Sequence, residues 1–178
     1  MKFIFDFDDV LFHNTKLFKE HMYMSLEKTG IPRNTAEEYY KTVRVNRFWL
    51  KDFLHHFSLE KSMYEKLLNE SKNFTNKELV TLMKKLGREN CYIVTHGNEE
   101  YQRDKIRKAG IESFFSEIIV VQENKKEAVE KICAKHKDEK VIFIDDKAHH
   151  FENLDFKKYP NLTTILYTGQ DLTSILLQ

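Results

Sequence analysis

Three short apolar runs, Phe3-Ile4-Phe5, Cys91-Tyr92-Ile93-Val94 and Val141-Ile142-Phe143-Ile144, each stop abruptly at a polar residue: Asp6, Thr95 and Asp145. Runs of this length, apolar throughout, suit strands that are buried on both faces. Further β-rich stretches lie at 118–121 and 163–167, and amphipathic helical patterns fill most of the intervals. Strands alternating with helices imply an α/β fold: a parallel sheet with helices on both faces.

Helix punctuation supports this order. Thr75 with Glu78 makes a capping box before Gly87, and Asn98 can cap a helix that closes near Gly110, where glycine suits a left-handed C-terminal residue. Between 14 and 74 the alternation stops, and helical periodicity runs with no convincing strand. Four short helices are expected there, with Thr35 and Glu38 as a second capping box and Ser58 as the cap of the last helix. The predicted organisation is a core of 1–13 and 75–178 with a helical insert of 14–74. At 178 residues the chain has room for one core and such an appendage.

Lys and Arg total 29 against 28 Asp and Glu, a formal charge of +1, so there is no global pull toward nucleic acid or an anionic membrane. Any anion site must be local. No run approaches the roughly 18 apolar residues of a membrane span, and the N-terminus lacks the apolar stretch of a signal peptide. Cys91 and Cys133 have no metal or redox spacing and are expected to be reduced and buried. The expectation is a soluble cytoplasmic protein, monomer or homodimer, whose partner is a small molecule rather than nucleic acid or membrane.

Functional groups of a parallel α/β sheet collect at the carboxyl ends of the strands. Asp6, Asp8, Asp9, Thr95, Asp145 and Asp146 would all fall at that edge, with Lys125 or Lys126 opening a helix that faces it. Two like charges 4 Å apart repel by roughly 4 kcal/mol at an effective dielectric near 20, so such a cluster calls for a divalent cation. Oxygen ligands without cysteine, and without His at a ligand spacing, favour Mg²⁺, which also takes phosphate oxygens. An ionised Asp6 can attack phosphorus directly, and Asp8 can act as its acid/base partner. Thr95 and the backbone N–H groups of His96 and Gly97 can hold phosphoryl oxygens, and the lysine offsets their charge. Asp6, Asp8 and Asp146 would hold the metal, with Asp145 behind them.

Phe5-Asp6-Phe7-Asp8-Asp9-Val10-Leu11-Phe12 resembles the D-x-D-x-[TV]-L signature of the haloacid dehalogenase superfamily. Ile93-Val94-Thr95-His96-Gly97-Asn98 is similar to its second motif, Lys125 to its third-motif lysine, and Phe143-Ile144-Asp145-Asp146 to its acidic fourth motif. The resemblance implies a Rossmann-like core, a helical cap of the first type inserted after the first motif, an aspartyl-phosphate intermediate and Mg²⁺. It further implies that the first aspartate and Thr95 bind phosphate, that Asp8 is the acid/base, and that the Asp8 backbone carbonyl reaches the metal. The phosphoglycolate-phosphatase-like subgroup is the nearest. Asp9 stands where glycine is usual, no proline follows Lys125, and the fourth motif lacks an acid four or five residues on.

Other residues carry less. His13 and His96 would sit beside the cleft, while His55-His56 and His149-His150 are read as non-ligands because adjacent helical residues diverge by about 100°. Arg44, Arg47 and Lys51 read as a solvated helix face, and Phe48, Trp49, Phe53 and Leu54 as the core of the insert. The expected function is a Mg²⁺-dependent phosphatase acting on a small phosphorylated metabolite. The alternatives are a sugar-phosphate mutase and a catalytically slow phosphate-binding or regulatory protein of the same fold.

Overall fold

The computed structural model describes residues 1–12, 15–45, 48–59 and 61–176. His13, Asn14 and Arg47, named above, lie outside the described residues. Five strands form one parallel sheet: β1 (Lys2–Phe5), β2 (Cys91–His96), β3 (Glu117–Val121), β4 (Val141–Asp145) and β5 (Leu162–Leu166), in the order β3-β2-β1-β4-β5. The helices are α1 (Thr15–Glu27), α2 (Arg33–Val43), α3 (Leu50–His56), α4 (Lys61–Asn69), α5 (Lys77–Leu86), α6 (Glu99–Lys108), α7 (Lys126–Lys135) and α8 (Thr173–Leu176).

The two-residue period of a strand decides which side chain meets which layer. Phe3, Phe5, Ile93, Ile142 and Ile144 share one cluster with side chains of α1, α5 and α6, among them Phe18, Leu82 and Ile106. Ile4, Tyr92, Val94, Val141 and Phe143 belong to the other cluster, with Val129, Ile132 and Cys133 of α7. Both faces are therefore covered, as continuous apolar strands require. Successive strands run outward from β1 on one side and then return to β4 on its other side. The crevice between the carboxyl ends of β1 and β4 is thus the switch point of the sheet.

Four helices, α1 to α4, stand between β1 and α5. The chain leaves and re-enters the sheet layer side by side: Phe12 pairs with Thr75 in an isolated antiparallel bridge, and the Asn76 N–H donates to the Leu11 carbonyl at 2.8 Å. Aromatic contacts run across this junction from Phe7 to Phe12 (5.3 Å), Phe12 to Phe18 (5.4 Å) and Phe18 to Phe74 (5.4 Å). Burying each of these rings contributes roughly 1.5–3 kcal/mol as an upper estimate.

Helix starts differ from expectation in three places. Asn76, not Thr75, caps α5, accepting from the N–H groups of Glu78 and Leu79, while the Thr75 hydroxyl donates to Lys72 O. Pro32, extended at ψ 137°, stands at the N-cap position, so α2 opens at Arg33 and Thr35 lies within the first turn instead of capping it. Ser58 has φ 56° in the turn after α3, and α4 opens at Lys61. Asn98 caps α6 as expected, accepting from Tyr101 N–H, and Gly110 follows at φ 74°. Among the described residues no helix is long and apolar enough to cross a membrane.

Candidate active site

The sheet edge brings Asp6, Thr95, Lys125 and Asp145 together, and all four are buried. Asp6 follows β1 directly, its N–H donating to Ile144 O at 2.9 Å. Asp6 Oδ1 accepts from Phe7 N–H (2.7 Å) and lies 2.7 Å from Lys125 Nζ. Lys125, at the start of α7, reaches across to Asp145 Oδ2 at the same distance of 2.7 Å. His150 Nδ1 lies 2.8 Å from that oxygen, and Lys147 N–H donates to Asp145 Oδ1 at 2.9 Å. Both oxygens of Asp145 are thereby occupied, whereas Asp6 engages its partners through Oδ1.

Lys126 points the other way, 3.8 Å from Glu130 with an exposed side chain. Of the two lysines, Lys125 is the one that reaches the Asp6 and Asp145 carboxylates. Asp6, Asp145 and His150 offer ligand atoms within 4.8 Å of one another. The Lys125 ammonium already supplies the positive charge at that cluster. Asp146 is different: its Oδ1 is buried without a hydrogen bond, the nearest cation being Lys147 Nζ at 3.8 Å. A buried carboxylate oxygen with no hydrogen-bond donor is an unsatisfied acceptor.

Asp9 has φ 61°, its N–H donating to Phe12 O at 2.9 Å. That left-handed turn accounts for glycine being usual at this position, and aspartate is among the residues that tolerate it. The turn also lets the chain swing from β1 into the helical block.

Asp8 has partners that sequence reasoning missed. Its carboxylate is gripped at both oxygens, by Lys105 Nζ at 2.6 Å and by Gln102 Nε2 at 2.8 Å. Lys105 is 3% exposed and lies against three ring faces, Tyr101, Phe7 and Phe12, at 4.8, 5.2 and 5.3 Å from their centroids. The same Gln102 Nε2 donates to His96 O at 2.9 Å, which assigns Oε1 as the acceptor end of the amide; Oε1 is buried and unpaired. Residues 102 and 105 sit about one turn apart on α6, which puts both on the face turned to Asp8.

Gly97 was expected to offer its N–H to phosphate, but that N–H donates to Val121 O at 3.1 Å. Its contribution is room: a Cβ there would meet Gln102 Nε2 at 2.9 Å, and its φ is 146°. His96 is exposed, with Nε2 donating to Gln122 O at 3.0 Å.

The two aspartates are pushed in opposite directions. Burial raises the Asp6 carboxyl from 3.8 to about 6, against the pull of Lys125. Burial would raise Asp8 as well, but Lys105 and the Gln102 hydrogen bond overcome it and hold its carboxyl low. Asp146 is raised, chiefly by burial. Burial disfavours the Lys147 ammonium, yet Asp146, Asp6, Asp145 and Asp8 together raise it.

Two cavities meet over Asp8 and His96. The smaller, about 250 Å³, is lined by Asp6, Thr95, Lys125, Lys147 and His150. The larger, about 730 Å³, opens between α6 and the helical block, with Phe18, Tyr40, Arg44 and Phe48 on its walls.

The sequence profile of the haloacid dehalogenase-like hydrolases matches residues 3–150, most of the chain. The chain belongs to this family. It is therefore a hydrolase of the haloacid dehalogenase type, and the folds agree. A haloacid dehalogenase-like hydrolase candidate from Burkholderia xenovorans LB400 superposes with TM-score 0.67 at 15% identity, covering 97% of this chain and 86% of that one. The candidate HAD hydrolase YfnB of Bacillus subtilis, a magnesium-bound structure reported to show interdomain movement, gives 0.57 at 21% identity, covering 92% and 84%. A candidate β-phosphoglucomutase from Thermotoga maritima gives 0.54 at 17% identity, covering 99% and 91%. No curated protein sequence shows a significant match.

Proposed function

We propose that this hydrolase is a Mg²⁺-dependent phosphomonoesterase in which Asp6 is the nucleophile and α1 to α4 form a cap over the leaving group. The observation that carries it is the junction of the two cavities at Asp8. The smaller cavity has the size for a phosphoryl group and two lysines, Lys125 and Lys147, to meet its charge beside the carboxylates, and the larger has the size of a metabolite. Asp8 stands where the bond between them would be.

In the first step Asp6 Oδ2 attacks phosphorus, the ester P–O bond breaks, and the leaving oxygen takes a proton from Asp8. In the second, Asp8 accepts a proton from water, the resulting hydroxide attacks the same phosphorus, and the bond to Asp6 breaks to release inorganic phosphate. Lys105 favours the ionised Asp8 of the second step. A phosphoryl dianion beside Asp8 raises its affinity for the proton that the first step needs. Thr95 and Lys125 line the phosphoryl cavity and stabilise its oxygens, and Lys125 also keeps Asp145 from repelling Asp6.

The residues present fit a magnesium ion: Asp6, Asp146 with its unpaired Oδ1, and the Asp8 carbonyl are all hard oxygen donors. When bound, the ion supplies Lewis-acid charge to the phosphoryl oxygens.

The test is phosphate release from p-nitrophenyl phosphate, sugar phosphates and nucleotides with Mg²⁺, compared with Asp6→Asn. The variant is expected to lose turnover by at least about 10⁴-fold, as removal of a nucleophile does. Activity surviving in Asp6→Asn would overturn the assignment, and isomerised substrate without free phosphate would convert the reading to a mutase.

A further inference from the structure

The larger cavity carries its own chemical pattern, and the phosphomonoesterase reading does not specify it. Two cap cations are ion-paired, Arg33 with Glu20 and Glu37 and Lys51 with Glu100. Lys19 of α1 and Arg44, just after α2, both line the cavity, and neither has a carboxylate within ion-pair distance among the described residues. Lys19 Nζ instead lies 5.4 Å from the Tyr40 ring centroid. Arg44, Tyr40 and Asp8 line the same cavity, which puts the cap cation and the proposed acid/base carboxylate around one space.

Two further observations point to a ligand. Gln102 is 4% exposed, its Oε1 has no donor, and the residue lines this cavity. The Thr15 hydroxyl is likewise buried without a partner and belongs to the same wall. Between these polar groups the walls are flat and apolar, with Phe18, Met22, Phe48 and Tyr101. A leaving group of two carbons would leave most of the roughly 730 Å³ to water.

We propose that the leaving alcohol is a hydroxylated body of metabolite size bearing a second anionic group, a phosphate or a carboxylate, which Lys19 and Arg44 bind while Gln102 Oε1 accepts from a hydroxyl. This rests on the phosphomonoesterase reading for the position of the scissile phosphate. Charge-assisted hydrogen bonds of this kind contribute about 1.5–3 kcal/mol, about tenfold or more in affinity.

The experiment uses matched pairs and the full chain with Mg²⁺. Glucose 6-phosphate is paired with glucose 1,6-bisphosphate to test a second phosphate, and with 6-phosphogluconate to test a carboxylate. At least one doubly anionic member is expected to show a kcat/KM about tenfold or more above its partner. Arg44→Gln and Lys19→Gln should collapse that ratio toward one, largely through KM. Lys51→Gln, whose partner is Glu100, should leave it unchanged. Equal kcat/KM within both pairs, or a ratio insensitive to Arg44→Gln and Lys19→Gln together, overturns the proposal. Calorimetric binding of the same esters to Asp6→Asn separates the two readings. Selective binding lost in Arg44→Gln upholds the anion site even if turnover of every ester fails, whereas equal binding of all esters overturns it.

Discussion

Among the described residues Lys105 and Lys125 are the buried lysines, and they flank aspartates two positions apart. Lys125 sits among polar groups, bridging carboxylates at the ends of two different strands, and one of them, Asp6, still has its carboxyl raised to about 6. Lys105 serves one carboxylate, is otherwise wrapped in aromatic faces, and holds Asp8 low. In the unliganded protein the proposed nucleophile is thus the weaker acid and the proposed acid/base the stronger one. Chemistry needs the reverse. On the proposed mechanism, the difference between the two lysine sites assigns a task to each ligand: a bound cation would lower Asp6, and a bound phosphoryl group would raise Asp8.

The most damaging way to break this comparison is to remove Lys125. Lys125→Met leaves Asp6 and Asp145 facing one another without a cation, and loss of one buried partner typically costs about 3–5 kcal/mol. Turnover is expected to fall by about 10³-fold, the upper range for loss of an electrostatic donor. Thermal unfolding with and without Mg²⁺ checks the cause. Divalent cation should restore part of the lost stability, and equal Tm deficits in both conditions would show that packing, not charge, was at fault.

Lys105→Met should be milder and different in kind. The methionine can fill the aromatic pocket, but Asp8 loses its counter-charge and its proton affinity rises. The acid limb of the kcat profile is expected to move to higher pH, with kcat falling by about 10- to 100-fold in neutral solution and KM changing little. Lys105→Arg should recover the position of the limb at least in part. A profile unmoved by Lys105→Met would reduce this lysine to a packing residue.

The unequal legibility of the two sites has a physical cause. Lys125 was in view from the sequence because it opens a helix at the sheet edge, where topology alone gathers groups from four strand ends. Strand existence was equally plain, since a buried parallel strand is apolar on both faces, and β2 and β4 needed no more than that. Lys105 sits in a helix whose charged residues mostly face solvent, and nothing in its spacing separates it from Arg103 or Arg107. Its burial follows from Phe7, Phe12 and Tyr101 closing over one face of α6, a tertiary event. Cap residues failed for a similar reason: Asn76 outcompetes Thr75 because the chain must first pair with Phe12, which shifts the start of α5 by one residue.

Gly97 tests whether Gln102 belongs to the Lys105 side. Gly97→Ala places a methyl group 2.9 Å from Gln102 Nε2 at a φ of 146°. The backbone strain costs about 1–3 kcal/mol, and Gln102 must release either Asp8 or His96 O. A loss of about 10-fold in kcat is expected beyond that of a neutral substitution, in line with a displaced catalytic contact. Gln102→Ala should then show no additional loss when combined with Gly97→Ala. Additive losses would mean that the glycine and the glutamine act separately.

The smallest effect, and the one that separates the lysines most cleanly, is the pH dependence of metal binding. With its carboxyl at about 6, Asp6 must lose a proton before it can ligate a cation, so Mg²⁺ affinity should fall about tenfold per pH unit below that value and level off above it. The same shift has a defined sign for the metal-free fold. Folded Asp6 holds a proton that the unfolded chain releases near 3.8, so its contribution to stability is present at low pH and is lost as pH rises through about 6. Calorimetry of Mg²⁺ binding in buffers of different ionisation enthalpy should detect proton release below pH 6 that fades above it. Lys125→Met should move this midpoint upward, because it removes the cation that restrains the Asp6 shift, whereas Lys105→Met should leave it in place. A midpoint that moved equally in both variants would mean that the two lysines share one field, and that Asp6 and Asp8 are not tuned apart.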